Sequence, residues 1–65
     1  MEPKVEYAME TLDGAWRVEI IKRGWTEWYR IVHNDRVLDW LTIAAVQRSL
    51  GEADISMADL SGAAA

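Results

Sequence analysis

The chain has 65 residues, a formal net charge of −4 at pH 7 and no cysteine. This length predicts one domain over residues 1–65, and the lack of cysteine excludes a disulfide framework and a thiolate metal site. A single histidine and the absence of a glycine-rich phosphate loop predict a protein that is not an enzyme and holds no metal or cofactor. The acidic balance disfavours non-specific binding to nucleic acid.

No segment approaches the roughly 20 apolar residues that a membrane span needs. The N-terminal residues also lack the basic and then apolar pattern of a signal peptide. We therefore expect a cytoplasmic protein without a membrane partner. Alanine is abundant and arginine outnumbers lysine, a composition that favours a bacterial or phage origin.

Pairs of turn-forming residues divide the first part of the chain, and between them apolar and polar residues alternate. Such pairs tolerate positive φ and favour tight hairpins, while the alternation predicts half-buried strands. The turns are Asp13-Gly14, Arg23-Gly24 and Asn34-Asp35, and the strands are 15–22, 25–32 and 36–40, with a fourth, shorter strand at 5–9. The expected sheet is a small antiparallel β-meander of three strands with the fourth at the N-terminus.

Two-residue loops at these turns would fix the strand register by counting. Met9 then lies opposite Val18, Val18 opposite Tyr29, and Tyr29 opposite Trp40. Alternate residues of a strand point to opposite sides of the sheet, so the register defines two faces. The apolar face comprises Tyr7, Met9, Trp16, Val18, Ile20, Trp25, Tyr29, Ile31, Leu38 and Trp40. The polar face comprises Glu6, Ala8, Glu10, Arg17, Glu19, Ile21, Thr26, Trp28, Arg30, Val32, Val37 and Asp39.

From about residue 41 to residue 50 the apolar period changes to that of a helix. Asp39 or Thr42 can cap its start, and Gly51 is a plausible stop. We expect this C-terminal helix to pack on one face of the sheet, over Trp16, Val18, Tyr29 and Trp40, which gives an α+β fold.

The segment Ser56–Asp59 has the spacing of a capping box and predicts a short helical turn that ends near Leu60. Residues 61–65 are expected to form a frayed, disordered tail.

Trp28 is the strongest candidate for a functional residue. The predicted strand register places it on the polar face, whereas Trp16 and Trp40 are predicted to lie in the core. Trp25, directly after a turn, is expected to be half covered. An indole between arginines is typical of a binding hot spot. The predicted partner-binding residues are Trp28, Arg17, Arg30, Ile21, Val37 and Trp25. Alternatively, the N-terminal segment or the C-terminal tail covers Trp28.

The arginines of the sheet also allow two interpretations. Arg17 and Arg30 face each other in the counted register and can bind an anion, or they belong to a charge-paired row Glu10–Arg17–Arg30–Asp39. With Lys22, Arg23 and Arg36 they could contact a phosphate backbone.

The sequence therefore predicts a non-enzymatic protein-interaction module, such as a small regulator, adaptor or inhibitor of a larger protein. The alternative function is a nucleic-acid-binding domain that uses the sheet arginines. A homodimer through an edge strand or through the Trp28 face is compatible with the first function.

Overall fold

A computed structural model describes residues 2–63, with only the backbone described at residue 63. It contains a five-stranded antiparallel sheet with one α-helix packed on it, so the predicted α+β class is confirmed and the strand count is higher than expected. The strands run in the spatial order β4-β3-β2-β1-β5. The elements are β1 Lys4–Thr11, β2 Trp16–Arg23, β3 Thr26–His33, β4 Arg36–Leu41, α1 Ile43–Glu52, a 3₁₀ turn Met57–Asp59 and β5 Leu60–Ala63. None of the helices within these residues has the length and apolar character that a membrane crossing requires.

The first hairpin follows the predicted register, with Met9 opposite Val18. Gly14 adopts a φ of 72° in the turn, a conformation that glycine tolerates without a steric cost. Asp13 accepts hydrogen bonds from the Thr11 hydroxyl at 2.6 Å and from the Ala15 amide at 3.0 Å. These two bonds lower the pKa of Asp13 below its usual value.

The observed register of the second hairpin differs from the predicted register by two residues. Its turn is formed by Gly24 and Trp25, because Arg23 already pairs with Thr26. Val18 consequently lies opposite Ile31, where Tyr29 was predicted. A shift of two residues keeps every side chain on its face, so the division into two faces survives an error in the turn.

The third hairpin begins in the predicted register, with Ile31 opposite Leu38, and then contains a β-bulge. Beyond the bulge Leu41, and not Trp40, lies opposite Tyr29. One additional residue in β4 reverses the alternation, so Leu41 takes the place on the apolar face that Trp40 was predicted to fill. The prediction that Trp40 belongs to the core is wrong.

The core lies between the apolar face and α1. Its fully buried members are Val18 and Ile31 from the sheet and Val46 and Leu50 from the helix. Partly buried side chains surround them: Met9, Trp16, Tyr29, Leu41, Ile55, Met57 and Leu60. The helix therefore covers the predicted face, although it covers Ile31 more completely than Trp16.

The helix is capped at Thr42, one of the two predicted caps, whose hydroxyl accepts a hydrogen bond from the Ala45 amide at 3.2 Å. It continues through Gly51, the expected stop, and ends with Ala53 as its C-cap.

The C-terminal segment completes the sheet. The predicted capping box is present, with the Ser56 side chain accepting from the Ala58 amide and the Asp59 side chain accepting from the Ser56 amide. Leu60–Ala63 then pairs with β1, so Ser61, Gly62 and the backbone of residue 63 form a strand where a frayed tail was predicted. Residues 64 and 65 of that predicted tail lie outside the described residues.

Candidate interaction surface

Trp28 lies on the polar face, as predicted, and directly opposite Ile21. Its side chain is nevertheless only 6% exposed, because the indole of Trp40 stacks on it with ring centroids 3.7 Å apart and an interplanar angle of 18°. Trp40 itself is 61% exposed. The solvent-facing indole of the polar face is therefore Trp40, and Trp28 is the platform beneath it.

The carboxylate of Asp39 holds this pair in place. One oxygen, Oδ1, accepts from the Trp28 indole Nε1 at 2.6 Å and from the Trp40 main-chain amide at 3.0 Å. The other oxygen, Oδ2, accepts from the Arg30 guanidinium at 3.1 Å. Asp39 thus ties the backbone of the bulge to the ring beneath Trp40.

Trp40 has a φ of 59°, in the left-handed region that bulky residues rarely adopt. This conformation allows the bulge to turn the indole from the apolar to the polar face. Stacking of two aromatic rings contributes about 0.5–1.5 kcal/mol beyond area burial, a magnitude that offsets much of the backbone strain. The bulge and the ring pair consequently stabilise each other.

A chain of ion pairs crosses the polar face beside the indoles. Arg17 contacts Glu10 at 3.0 Å and Glu19 at 2.8 Å, while Arg30 contacts Glu19 at 3.4 Å and Asp39 at 3.1 Å. The predicted charge-paired row is present in an altered form, with Glu19 inserted between the two arginines. The two-residue shift of the second hairpin explains this change, since it places Glu19 opposite Arg30 and Val32 opposite Arg17.

The ion pairs occupy both arginines. Hydrogen bonding to Glu19 raises the pKa of Arg17, and hydrogen bonding to Asp39 raises the pKa of Arg30 above its usual value. Three acids and two arginines leave this surface without an excess of positive charge, so it offers little attraction to a phosphate backbone. Only Arg30 Nε, among the buried side-chain nitrogens and oxygens of the described residues, lacks a hydrogen-bond partner.

The remaining predicted binding residues separate into three environments. Ile21 is buried on the polar face, with an exposed fraction of 1%, and so contributes to stability more than to a contact surface. Val37, on the edge strand β4, is 58% exposed on the same face as Trp40. Trp25 is fully exposed in the β2–β3 turn, where half coverage was expected, and borders a groove with Lys4 and Lys22.

Two important residues of this surface, Trp40 and Glu19, were not among the predicted binding residues. The available signal for Trp40 was the apolar doublet Trp40–Leu41, which interrupts strict alternation at the end of a strand. No comparable signal marked Glu19, because its position between the arginines depends on the register of the second hairpin.

Acid should separate the two indoles. Burial alone would raise the pKa of Asp39, but hydrogen bonds from Arg30, Trp28 and the Trp40 amide outweigh it and hold the pKa below the ordinary value of 3.8. The stabilisation by this carboxylate is complete above pH 3.8 and is lost as the pH falls through the lower, folded-state pKa. We expect the near-ultraviolet circular dichroism of the stacked tryptophans to decrease in that range.

The matched control for this titration is Asp39→Asn, which should show a weaker signal at neutral pH and no further change attributable to residue 39 in acid. If Asp39→Asn keeps the full acid transition of the original chain, a different carboxylate controls the stacking.

No group of three or more His, Asp or Glu side chains in residues 2–63 is placed to hold a metal ion. His33 stacks on Trp16 with centroids 3.8 Å apart, and its Nδ1 lies 2.9 Å from the carbonyl oxygen of Ala15. This geometry gives His33 a packing partner and a main-chain partner. Comparison with known family models, curated proteins and solved structures finds no match to this chain.

Proposed function

We propose that this chain is a non-enzymatic protein-interaction module, a small regulator, adaptor or inhibitor that binds a larger protein through the polar face of its sheet. The aromatic patch, defined as Trp28, Trp40 and Val37, forms the centre of the proposed contact. The observation that carries this proposal is the exposed indole of Trp40, held against Trp28 on a face that no helix of the described residues covers.

Pre-organisation supports this use of Trp40. An exposed tryptophan on a flexible loop loses side-chain entropy when a partner binds it, at a cost of about 0.5–1.5 kcal/mol. Here stacking on Trp28 and the hydrogen bonds of Asp39 already restrict the ring. More of the burial free energy is then available for affinity.

The surroundings of the patch match the composition of binding hot spots. Tryptophan and arginine dominate such sites, and polar groups around them exclude water from the centre. Arg17 and Arg30 provide this polar border, with their charges already balanced by acids. A partner can therefore cover the indole without leaving an unpaired charge buried.

The test is binding of the native partner to three immobilised proteins: the original chain, Trp40→Asn and Trp25→Asn. Asparagine tolerates positive φ, so Trp40→Asn removes the indole with little additional backbone strain. We expect Trp40→Asn to weaken binding at least about thirty-fold, the equivalent of a hot-spot loss of 2 kcal/mol. Trp25→Asn removes an equally large and fully exposed ring from the turn and should bind as the original chain does.

Circular dichroism and urea unfolding would verify that both variants remain folded. A host protein captured equally by all three chains would contradict the proposed surface. If only Trp25→Asn loses binding, the contact lies at the β2–β3 turn and not at the aromatic patch. Failure of the original chain to retain any host protein above the Trp40→Asn background would contradict the proposed function.

A further inference from the structure

The edge strand β4 carries large exposed apolar side chains on both faces of the sheet. Val37 and Trp40, with exposed fractions of 58% and 61%, lie on the polar face, and Leu38, at 48%, lies on the apolar face. A partner that binds to one face of the sheet covers only the exposed apolar side chains on that face. A strand placed alongside β4 covers both.

The main chain of β4 is also available for such a strand. Within residues 2–63 it pairs with β3 alone, since β4 is the outer strand of the sheet. Arg36 and His33 flank the two-residue turn, so Arg36 directs its amide and carbonyl toward β3. Because these directions alternate, the amide and carbonyl of Val37 point to the free edge. Edges of this kind are usually blocked by charge, proline or a β-bulge. Val37–Leu38 has none of these, and the charge of Arg36 and the bulge at Asp39–Trp40 confine the free edge to a short stretch around Leu38.

We propose that a second copy of this chain occupies this edge, with the two β4 strands antiparallel around a two-fold axis at Leu38. Such an axis is perpendicular to the sheet and keeps the polar faces of both copies on one side. Leu38 then lies opposite Leu38 of the second copy, and Val37 lies opposite Asp39 and beside Trp40. Each exposed apolar side chain of β4 thereby obtains an apolar neighbour.

Charge favours this occupant and this register. The β3–β4 hairpin, from Thr26 to Leu41, contains two arginines, two aspartates and Glu27, so most of the net charge of −4 lies outside the contact. An axis at Asp39 would place two carboxylates opposite each other, and an axis at Val37 would place Asp35 opposite Asp39. The axis at Leu38 places no two like charges opposite each other.

The dimer would join two five-stranded sheets into one continuous sheet. Both aromatic patches would then lie on a single polar face, on either side of the axis. A larger protein could engage two indoles at once, which increases its effective affinity without any new type of contact. This inference rests on the proposed function only in assigning Trp40 to an interface, and the two can fail separately.

The absence of cysteine allows a direct test of the register. In the proposed pairing the two Leu38 residues form a non-hydrogen-bonded pair with Cα atoms about 4.5 Å apart, a distance that a disulfide accommodates. We expect Leu38→Cys to form a disulfide-linked dimer rapidly under mild oxidation. Val37→Cys, displaced from the axis, and Leu12→Cys, 97% exposed in the first turn, should cross-link far more slowly.

Sedimentation equilibrium of the full chain gives the second measurement. We expect a reversible dimer at concentrations below about 1 mM, weakened at least ten-fold by Leu38→Lys and unchanged by Leu12→Lys. A chain that remains monomeric throughout this range would overturn the proposal, as would a dimer that tolerates Leu38→Lys. Faster cross-linking of Val37→Cys would also overturn the register.

The same variants separate this proposal from the proposed function. Leu38 lies on the apolar face, so Leu38→Lys should reduce dimerisation and remove the gain in affinity from two indoles, while Trp40 of each single chain still contacts a larger protein. If Leu38→Lys dimerises normally while Trp40→Asn does not, the copies associate through their polar faces and the edge pairing is wrong.

Discussion

Replacing Leu50 with alanine is expected to lower the free energy of unfolding by about 2–5 kcal/mol, the range for truncating a large side chain in a core. Leu50 is 1% exposed and packs with Val18, Ile31 and Val46. The carbonyl of Leu50 also accepts hydrogen bonds from Ala53 and Ile55, so the residue anchors the end of α1. A domain of this length has a total stability on the order of 3–10 kcal/mol. The variant should therefore be largely unfolded near physiological temperature.

Urea denaturation followed by tryptophan fluorescence measures this loss. Ile43→Ala is the matched control, since it removes the same number of carbon atoms from the same helix at a position that is 40% exposed. We expect the control to lose less than half as much stability. Equal losses in the two variants would show that α1 does not form the observed core.

The second large effect is expected at Glu19, the acid that joins the two sheet arginines. Its residue exposure is 8%, and its carboxylate oxygens contact Arg17 at 2.8 Å and Arg30 at 3.4 Å. Glu19→Gln keeps the side-chain shape but leaves two guanidinium groups close together without the central negative charge. Removing one partner of a buried ion pair costs about 3–5 kcal/mol, and the partial exposure of the arginines places this case near the lower limit.

The control for Glu19→Gln is Glu27→Gln, on the neighbouring strand and exposed to solvent. Thermal or urea unfolding of both variants should give a loss of about 3 kcal/mol for Glu19→Gln and less than about 0.5 kcal/mol for Glu27→Gln. A small effect at Glu19 would mean that Glu10 and Asp39 alone balance the arginines.

The second hairpin illustrates how much of the fold local sequence can predict. The glycine marked the turn, but glycine can occupy either position of a two-residue loop, and the sequence offered no reason to prefer Gly24-Trp25 over Arg23-Gly24. The resulting error in the register was two residues, an even number, so every side chain stayed on its predicted face of the sheet. The identity of the pairs across the strands changed, and with it the position of Glu19 between the arginines.

The bulge at Asp39–Trp40 had a greater consequence for the candidate surface. An insertion of one residue moves a side chain to the opposite face, and alternation cannot anticipate it. Trp40 was predicted in the core because the pattern was continued one residue too far. Asp39 stabilises the bulge through contacts to Trp28 and Arg30, which come from another strand and exist only in the folded chain.

The sequence by itself determined the α+β class, the faces of β2 and β3, two candidate helix caps that include Thr42, and the position of Trp28 on the polar face. These features follow from periodicity and from hydrogen bonds between residues close in the chain. Tertiary structure decided the pairing of Leu60–Ala63 with β1 and the stacking of Trp40 on Trp28. Both depend on contacts between different segments of the chain. The free energy of such contacts cannot be predicted from local sequence patterns.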